Sequence, residues 1–489
     1  MIPSYDLLAR ALSPEIALVV GALLALAADL TFGRRQSLAT RLGWALGIGA
    51  LAIVAAGAAL LAVGPVGPVY ADNFLLDSLA VATRGGVLTL ALLTLGVAAG
   101  AKLPRHPAEY VAIMLFATTG FMLMAAAHHL LIAFVALELA SLSLYVLAGF
   151  DQSRRESAEA ALKYFLFGGV ATAFLLFGFS LIYGLTGQLD ISRIAVALSL
   201  TGPSPLLVVA VVMVLVAFGF KAAAAPFHLW APDTYEGAPT PSAALIASAS
   251  KLAGFTLFLR LLWPGLGALA GEVSTAGHAG GWLTGVALLS GASLLLGNLA
   301  ALAQTNLRRL LAYSAIAHTG AMLLGVMAAE TAGAGPVFYY VATYGVATAG
   351  AFGVIAVLER QGGCQQISDL NGLGARSPLL GGCLAVFILS LAGIPPLAGF
   401  FGKFAVFAVA LKLGGIAGPA GWLTLLAIAL SAVALYYYLI VLKAALVLPP
   451  PPDRAGPIRV PFAAAITLLG AAALMVIFGL FPAVVLGWF

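Results

Sequence analysis

Charge is what this sequence has least of. Only 8% of its 489 residues are Asp, Glu, Lys or Arg, against 62% hydrophobic, whereas a soluble domain typically carries about 25% charged residues to cover its surface. That deficit, with a mean hydropathy of +1.09, excludes a soluble enzyme. Cysteine is nearly absent too. Cys364 and Cys383 are too few for a disulfide framework or a four-cysteine metal site, and iron–sulfur, haem-attachment and zinc spacings are missing. No polar stretch is long enough for a soluble domain, and no segment alternates as a membrane β-strand does. The opening Met1-Ile2-Pro3-Ser4-Tyr5-Asp6 has no basic n-region, so the first apolar stretch reads as a retained helix and not a cleaved signal. The net charge of +5 reflects loop arginines and gives nucleic-acid binding no support.

What is present is a series of apolar runs. Crossing about 30 Å of hydrocarbon takes roughly 20 helical residues. Segments of that kind lie at 14–32, 41–63, 79–101, 108–127, 129–149, 158–185, 205–228, 239–262, 281–303, 309–328, 336–358, 378–411, 420–446 and 461–487. The chain therefore reads as an all-α polytopic membrane protein of about fourteen helices in one transmembrane domain. Loops after odd-numbered spans hold Arg34, Arg35, Arg41, Lys102, Arg105, Arg154, Arg155, Arg308, Arg309, Arg360, Arg376, Arg454 and Arg459. The N-terminal tail and the even loops hold only Arg10, Arg193, Arg260 and Lys412. By the positive-inside rule, odd loops are cytoplasmic and both termini lie outside.

Two spans share an anomaly. The twelfth overshoots the bilayer and contains Gly393-Ile394-Pro395-Pro396, which lacks two backbone donors and breaks a helix. The seventh contains Lys221-Ala222-Ala223-Ala224-Ala225-Pro226, with Pro232 beyond it. A lysine beside a proline break, recurring five spans later, predicts two inverted five-helix repeats with broken helices 7 and 12. The division is 1–105 for three leading helices, 106–265 and 280–447 for the repeats, and 460–489 for a final helix. In transporters such breaks mark an ion or substrate path.

Inside the spans stand Arg84, Lys163, Lys221, Lys251, Lys403, Lys443 and one acid near mid-span, Glu138. A charge at the bilayer centre costs about 3 kcal/mol on insertion scales, so each needs a reason. Arg84 and Lys443 lie near span ends, where a long side chain can snorkel to the interface. Lys163 follows Glu159 by four residues, the spacing of an ordinary helix pair. Glu138, Lys221, Lys251 and Lys403 suit proton handling, because a buried lysine whose acidic partner approaches or withdraws can load and release a proton. His228 at the break and His318 in span 10 either relay protons or are satisfied core histidines. His128 and His129 fall at a turn and read as interfacial, while His106 and His278 read as loop residues. Tyr145, Ser141 and Ser250 can line a hydrated path, with packing as the default.

The run Glu138-Leu139-Ala140-Ser141-Leu142-Ser143-Leu144-Tyr145 resembles helix five of the antiporter-like membrane subunits of proton-pumping NADH:quinone oxidoreductase, respiratory complex I. Ser157-Ala158-Glu159-Ala160-Ala161-Leu162-Lys163-Tyr164-Phe165 is similar to helix six, and Phe220-Lys221 through Pro241 to Lys251 to the signature of the whole family. Gly393-Ile394-Pro395-Pro396 through Gly402-Lys403-Phe404 resembles the broken twelfth helix. The wording is most similar to the subunit N branch. Another branch typically has glutamate where Lys403 stands, and the largest carries a lateral helix beyond span fourteen. The resemblance implies Glu138 and Lys221 as the helix-five/helix-seven pair, Lys163 as modulator, Lys251 as central relay and Lys403 as exit lysine. It implies no cofactor in this subunit, with FMN and iron–sulfur clusters in other subunits, and complex I membrane-arm partners including antiporter-like paralogues. The setting it implies is a bacterial inner membrane. A subunit of a multi-subunit cation/proton antiporter shares the same lysine motifs and stays open as an alternative, as does a scaffold that conducts nothing.

Overall fold

The computed structural model describes residues 5–102, 105–202, 204–271, 281–413, 415–452 and 456–489; His278 and Arg454 lie outside the described residues. Among the described residues, thirteen helices are long and apolar enough to cross a membrane. They are Ser13–Thr31, Leu38–Val63, Ser78–Gly100, Pro107–Ala126, Leu130–Ala148, Arg155–Thr186, Pro205–Ala222, Thr240–Gly265, Trp282–Leu302, Leu307–Met327, Gly335–Glu359, Pro419–Leu446 and Phe462–Leu480. With the broken pair Pro378–Ala392 and Ala398–Lys412, they match the spans expected from hydropathy, numbered 1 to 14 in chain order. Chemistry at the ends explains the boundaries. Pro107, Pro205, Pro378 and Pro419 stand in first turns, where the missing N–H has no intrahelical role. Asp77, Ser204, Asn306 and Ser377 cap backbone N–H groups with their side chains.

Spans 8, 10 and 11 are buried almost all round, whereas spans 1, 2, 6 and 14 keep most of their surface outward. The lysines of spans 8 and 12 and the histidine of span 10 therefore sit at or against the centre of the bundle. The loops also sort into two ends. Arg360 reaches Ala99 O, Gln361 reaches Arg459 O and Arg376 reaches Gly456 O, all between odd loops or their flanks. At the other end Arg260 pairs with Asp77, and His128 hydrogen-bonds Ser192 at 2.6 Å.

Both predicted breaks form, and both half-helices end alike. Span 7 stops at Ala222 with Ala223 in the left-handed region (φ 58°), and Ala224 N donates to Gly219 O at 2.7 Å. Span 12 stops at Ala392 with Gly393 at φ 87°, and Ile394 N donates to Leu389 O at 3.0 Å. Each is a Schellman cap, which closes a helix through a left-handed residue. A Cβ on Gly393 would also stand 3.0 Å from Lys403 Cδ, so glycine keeps the break open to that lysine.

Several expectations need correction. Span 8 is not continuous: Ser248 leaves helical geometry (φ −113°, ψ −83°), its hydroxyl bonded back to Ala244 O at 2.6 Å, and Thr240–Ala247 gives way to Ala249–Arg260. Back-bonding serines bend helices in this way. Span 14 ends at Leu480, because Phe481-Pro482 cannot continue it. The all-α reading holds for the spans, but Gly67–Val69 and Phe74–Leu76 form a small antiparallel hairpin, and an amphipathic helix, Ile191–Thr201, links spans 6 and 7. Arg84 does not snorkel. It is fully buried and grips Glu15 of span 1, with Nε 2.9 Å from Oε1 and Nη2 2.9 Å from Ala11 O. Arg260 is not a loop residue but is buried at the end of span 8, and His128, at its turn between spans 4 and 5, is buried. Lys443 is exposed near its helix end, as snorkelling requires.

Candidate functional site

Lys221 lies one residue before the end of the first half of span 7, so its stem points among spans 5, 6 and 7. It is buried, and Nζ donates to Ser141 Oγ at 3.4 Å. Glu138, one turn back on the same face of span 5, is half-buried and accepts from Thr172 Oγ1 of span 6 at 2.7 Å. The expected pair thus occupies adjacent helices, but among the described residues it makes no ion pair: each partner is held by its own hydroxyl. A cavity of about 10 Å³ lies beside Lys221, lined also by Leu137, Ser141, Tyr145 and Thr172, the scale of a single water.

Lys251 follows the interruption at Ser248 by three residues. It is almost fully buried, and its Nζ donates to Ala315 O at 2.9 Å and Thr319 Oγ1 at 2.8 Å on span 10. The same ammonium sits 5.0 Å from the Tyr344 ring centroid on span 11, a cation–π contact. Thr319 Oγ1 in turn lies 2.8 Å from Ala222 O, the carbonyl that ends the first half of span 7.

His318, next to Thr319, is buried between tyrosines. Nδ1 is 2.8 Å from Tyr340 Oη and Nε2 3.2 Å from Tyr438 Oη, which also hydrogen-bonds Ser314. Its ring centroid is 4.9 Å from that of Tyr344, so Tyr344 touches both Lys251 and His318. On the far side His318, Tyr340, Asn298, Ser431, Tyr437 and Lys403 line a cavity of about 20 Å³. Lys403 is half-buried there, and its Nζ donates to Ala392 O at 3.0 Å. A line of contacts therefore runs from the break of span 7 through the hydrogen-bonded Thr319 and Lys251, across the Tyr344 ring to His318, and through the small cavity to Lys403 at the break of span 12.

Two predicted residues stand apart. Lys163 does not join the buried lysines. It is partly exposed, paired with Glu159 at 2.7 Å and with Asp233 at 2.5 Å. Asp233 also meets Arg309 at 2.7 Å, and Arg309 meets Glu236 at 2.8 Å, so Lys163 belongs to a charge cluster around the short helix Trp230–Gly237. His228 is buried within the break beside Pro226, and among the described residues it makes no hydrogen bond to any of these lysines. Residues that the sequence reading missed are Thr172, Thr319, Tyr340, Tyr344 and Tyr438. A hydroxyl directly following His318 was the one signal available for Thr319.

Residues 127–431 match the family described as NADH:quinone oxidoreductase/Mrp antiporter, TM. The chain is 47% identical to a curated relative from Acidobacterium capsulatum, NADH-quinone oxidoreductase subunit N 2, over 99% of each chain. Among solved structures it is similar to a chain of respiratory complex I from Thermus thermophilus with bound Aureothin. That similarity has 32% identity, a TM-score of 0.77, and coverage of 97% of this chain and 98% of that one. A chain of the Mrp complex from Dietzia sp. DQ12-45-1b shares the fold, with a TM-score of 0.80 at 22% identity and coverage of 97% and 95%.

Proposed function

Because the chain belongs to the NADH:quinone oxidoreductase/Mrp antiporter transmembrane family, we propose that it is a proton-translocating, non-redox membrane subunit of an NADH:quinone oxidoreductase, in the position of subunit N. One observation carries the mechanism: the line of contacting side chains from the broken end of span 7, through Thr319, Lys251, the Tyr344 ring and His318, to Lys403 at the broken end of span 12. In a bilayer, ionisable groups of this kind mark proton relays. Glu138 and Lys221 act as the loading pair, Lys251 as the central relay and Lys403 as the exit. Lys163 modulates the loading pair from the Asp233 cluster, and His318, held by Tyr340 and Tyr438, is the better placed of the two histidine candidates. Pro226, Pro395 and Pro396 keep the two helix ends open to this line, and the two halves, 106–265 and 280–447, act as repeats.

The subunit works beside other membrane-arm subunits in a bacterial inner membrane, with both termini on the outer side. FMN and iron–sulfur clusters reside in other subunits, so redox energy arrives through neighbours. Moving one charge against the membrane potential costs about 2.3 kcal/mol per 100 mV, and the coupling has to supply it.

The test is substitution of Lys221→Ala and Glu138→Ala in the intact complex. NADH-driven proton pumping should fall sharply while assembly and NADH oxidation by the hydrophilic subunits persist; normal pumping in assembled variants overturns the reading. The antiporter alternative predicts that the native chain purifies without iron–sulfur subunits, whereas the 47% identity to a subunit N relative favours purification with them.

A further inference from the structure

We infer that Thr319 is a positioning residue that reads the protonation state of Lys251 and transmits it to the broken helix end beside Lys221. The inference rests on the reading of Lys251 as a proton carrier.

Ala222 ends the first half of span 7, and the residue four positions on, whose N–H would bond its carbonyl in a continuing helix, is Pro226, which has none. The N–H groups between them are committed elsewhere: Ala223 N to Phe220 O, Ala224 N to Gly219 O, and Ala225 N to Ser293 Oγ. Ala222 O instead takes the hydroxyl of Thr319 at 2.8 Å. The other acceptor in reach of that hydroxyl, Ala315 O at 2.9 Å, already receives Lys251 Nζ and sits in the helical ladder of span 10.

Donor counting then makes Thr319 a switch. A lysine ammonium has three N–H donors and no lone pair. Here two go to Ala315 O and Thr319 Oγ1, and the third is left for the Tyr344 face. A neutral amine has two donors and one lone pair. When Lys251 gives up its proton to the next carrier, its lone pair needs a donor, and the Thr319 hydroxyl lies 2.8 Å away. The hydroxyl rotates to Nζ and withdraws from Ala222 O. No bond to the threonine proton breaks; only its direction changes. The carbonyl end of the half-helix, where the helix dipole is negative, loses its neutralising donor. That favours a proton on Lys221, the residue immediately before Ala222. Discharge of Lys251 is thereby linked to loading of Lys221. Span 12 needs no such intermediary, since Lys403 bonds the corresponding carbonyl of Ala392 directly.

The experiment uses the intact complex in membrane vesicles, with NADH-driven proton pumping followed by a pH-sensitive dye from about pH 6 to pH 9. Thr319→Val keeps the shape and removes the hydroxyl; Thr319→Ser keeps the hydroxyl. The valine variant should pump about tenfold more slowly, with its pH optimum moved by about one unit, and the serine variant should stay within about twofold of the parent. Combined with Lys251→Met, Thr319→Val should add no further loss, because it acts only through Lys251. Parent-like pumping in Thr319→Val, or losses that multiply in the double variant, overturns the inference. Should the valine variant fail to assemble, Thr319→Ala applies the same test without added bulk. The two readings fail separately. Normal pumping in Lys251→Met removes the proton-carrier reading, whereas loss in Lys251→Met beside normal pumping in Thr319→Val removes only the role of Thr319.

Discussion

Lys403 and Ala392 face each other across the break in span 12, the ammonium donating to the terminal carbonyl at 3.0 Å. In span 7 the corresponding carbonyl, Ala222 O, is met by Thr319, which carries Lys251 on its other side. Both half-helices thus end with the negative pole of their dipole turned to a lysine, directly in one case and through a hydroxyl in the other. A broken helix supplies fixed partial charge where a mobile cation can use it without a carboxylate alongside.

Replacing Lys403 therefore removes two things. Lys403→Met should lower NADH-driven pumping about tenfold or more in assembled complex. It should also destabilise the subunit by about 1–3 kcal/mol, since Ala392 O loses its donor. Lys403→Arg, which still donates, should recover stability but not pumping, because a guanidinium does not release its proton. Thermal unfolding in detergent beside dye-monitored pumping separates the effects; equal recovery of both by arginine would contradict the proposed exit role.

Lys163 gives a graded contrast. Its pairs with Glu159 and Asp233 are about a third exposed or more, and such pairs contribute about 0–1 kcal/mol. Lys163→Ala should cost less than about 1 kcal/mol of stability and slow pumping only about two- to fivefold. A loss as complete as that of Lys221→Ala would mean that Lys163 carries the proton itself.

How much of this was legible follows from the range of each interaction. Spans, breaks and most boundaries depend on hydropathy, prolines and caps within one stretch of chain, and so they could be read. The position of Lys221 beside span 5 followed from the motif, but its actual partner, Ser141, did not. A hydroxyl and a carboxylate one turn apart on the same face are equivalent choices until packing selects one. The bend at Ser248 was hidden for a related reason: serine is tolerated in helices, and the kink shows only in its backbone angles (φ −113°, ψ −83°). Tyr344 and Thr319 come from spans distant in sequence from Lys251 and carry no local pattern. Arg84 was misread because its partner, Glu15, sits near the start of another span, where an acid looks interfacial.

His128 offers a pH-dependent test away from the proton path. It lies between spans 4 and 5, with Nε2 2.6 Å from Ser192 Oγ. Burial pushes the imidazole below its ordinary value, reinforced by Arg260 and opposed by Asp190, Asp72 and Asp77. The unfolded chain then binds the proton more readily than the folded one, so stability rises with pH between the lowered value and about 6.5, and falls on acidification. His128→Gln should flatten the dependence of Tm on pH below about 6.5 while leaving neutral-pH stability close to the parent. An unchanged slope would show that another group titrates there.

The buried pair of Arg84 and Glu15 predicts an asymmetry. Both side chains are out of solvent, and Arg84 Nη1 has no partner among the described residues. Removing one member leaves an uncompensated charge inside the bundle, so Arg84→Ala or Glu15→Ala should destabilise by about 3–5 kcal/mol and reduce assembly. Replacing both with apolar residues of similar volume, Arg84→Met with Glu15→Leu, removes the charges together and should be near neutral, because desolvation already offsets most of the attraction. Pumping by the double variant should match the parent, since spans 1 and 3 lie outside the line of contacts. Assembly yield and thermal unfolding of the three variants check the energetics. A double variant as unstable as either single one would show that the pair is needed for packing and not merely for mutual neutralisation.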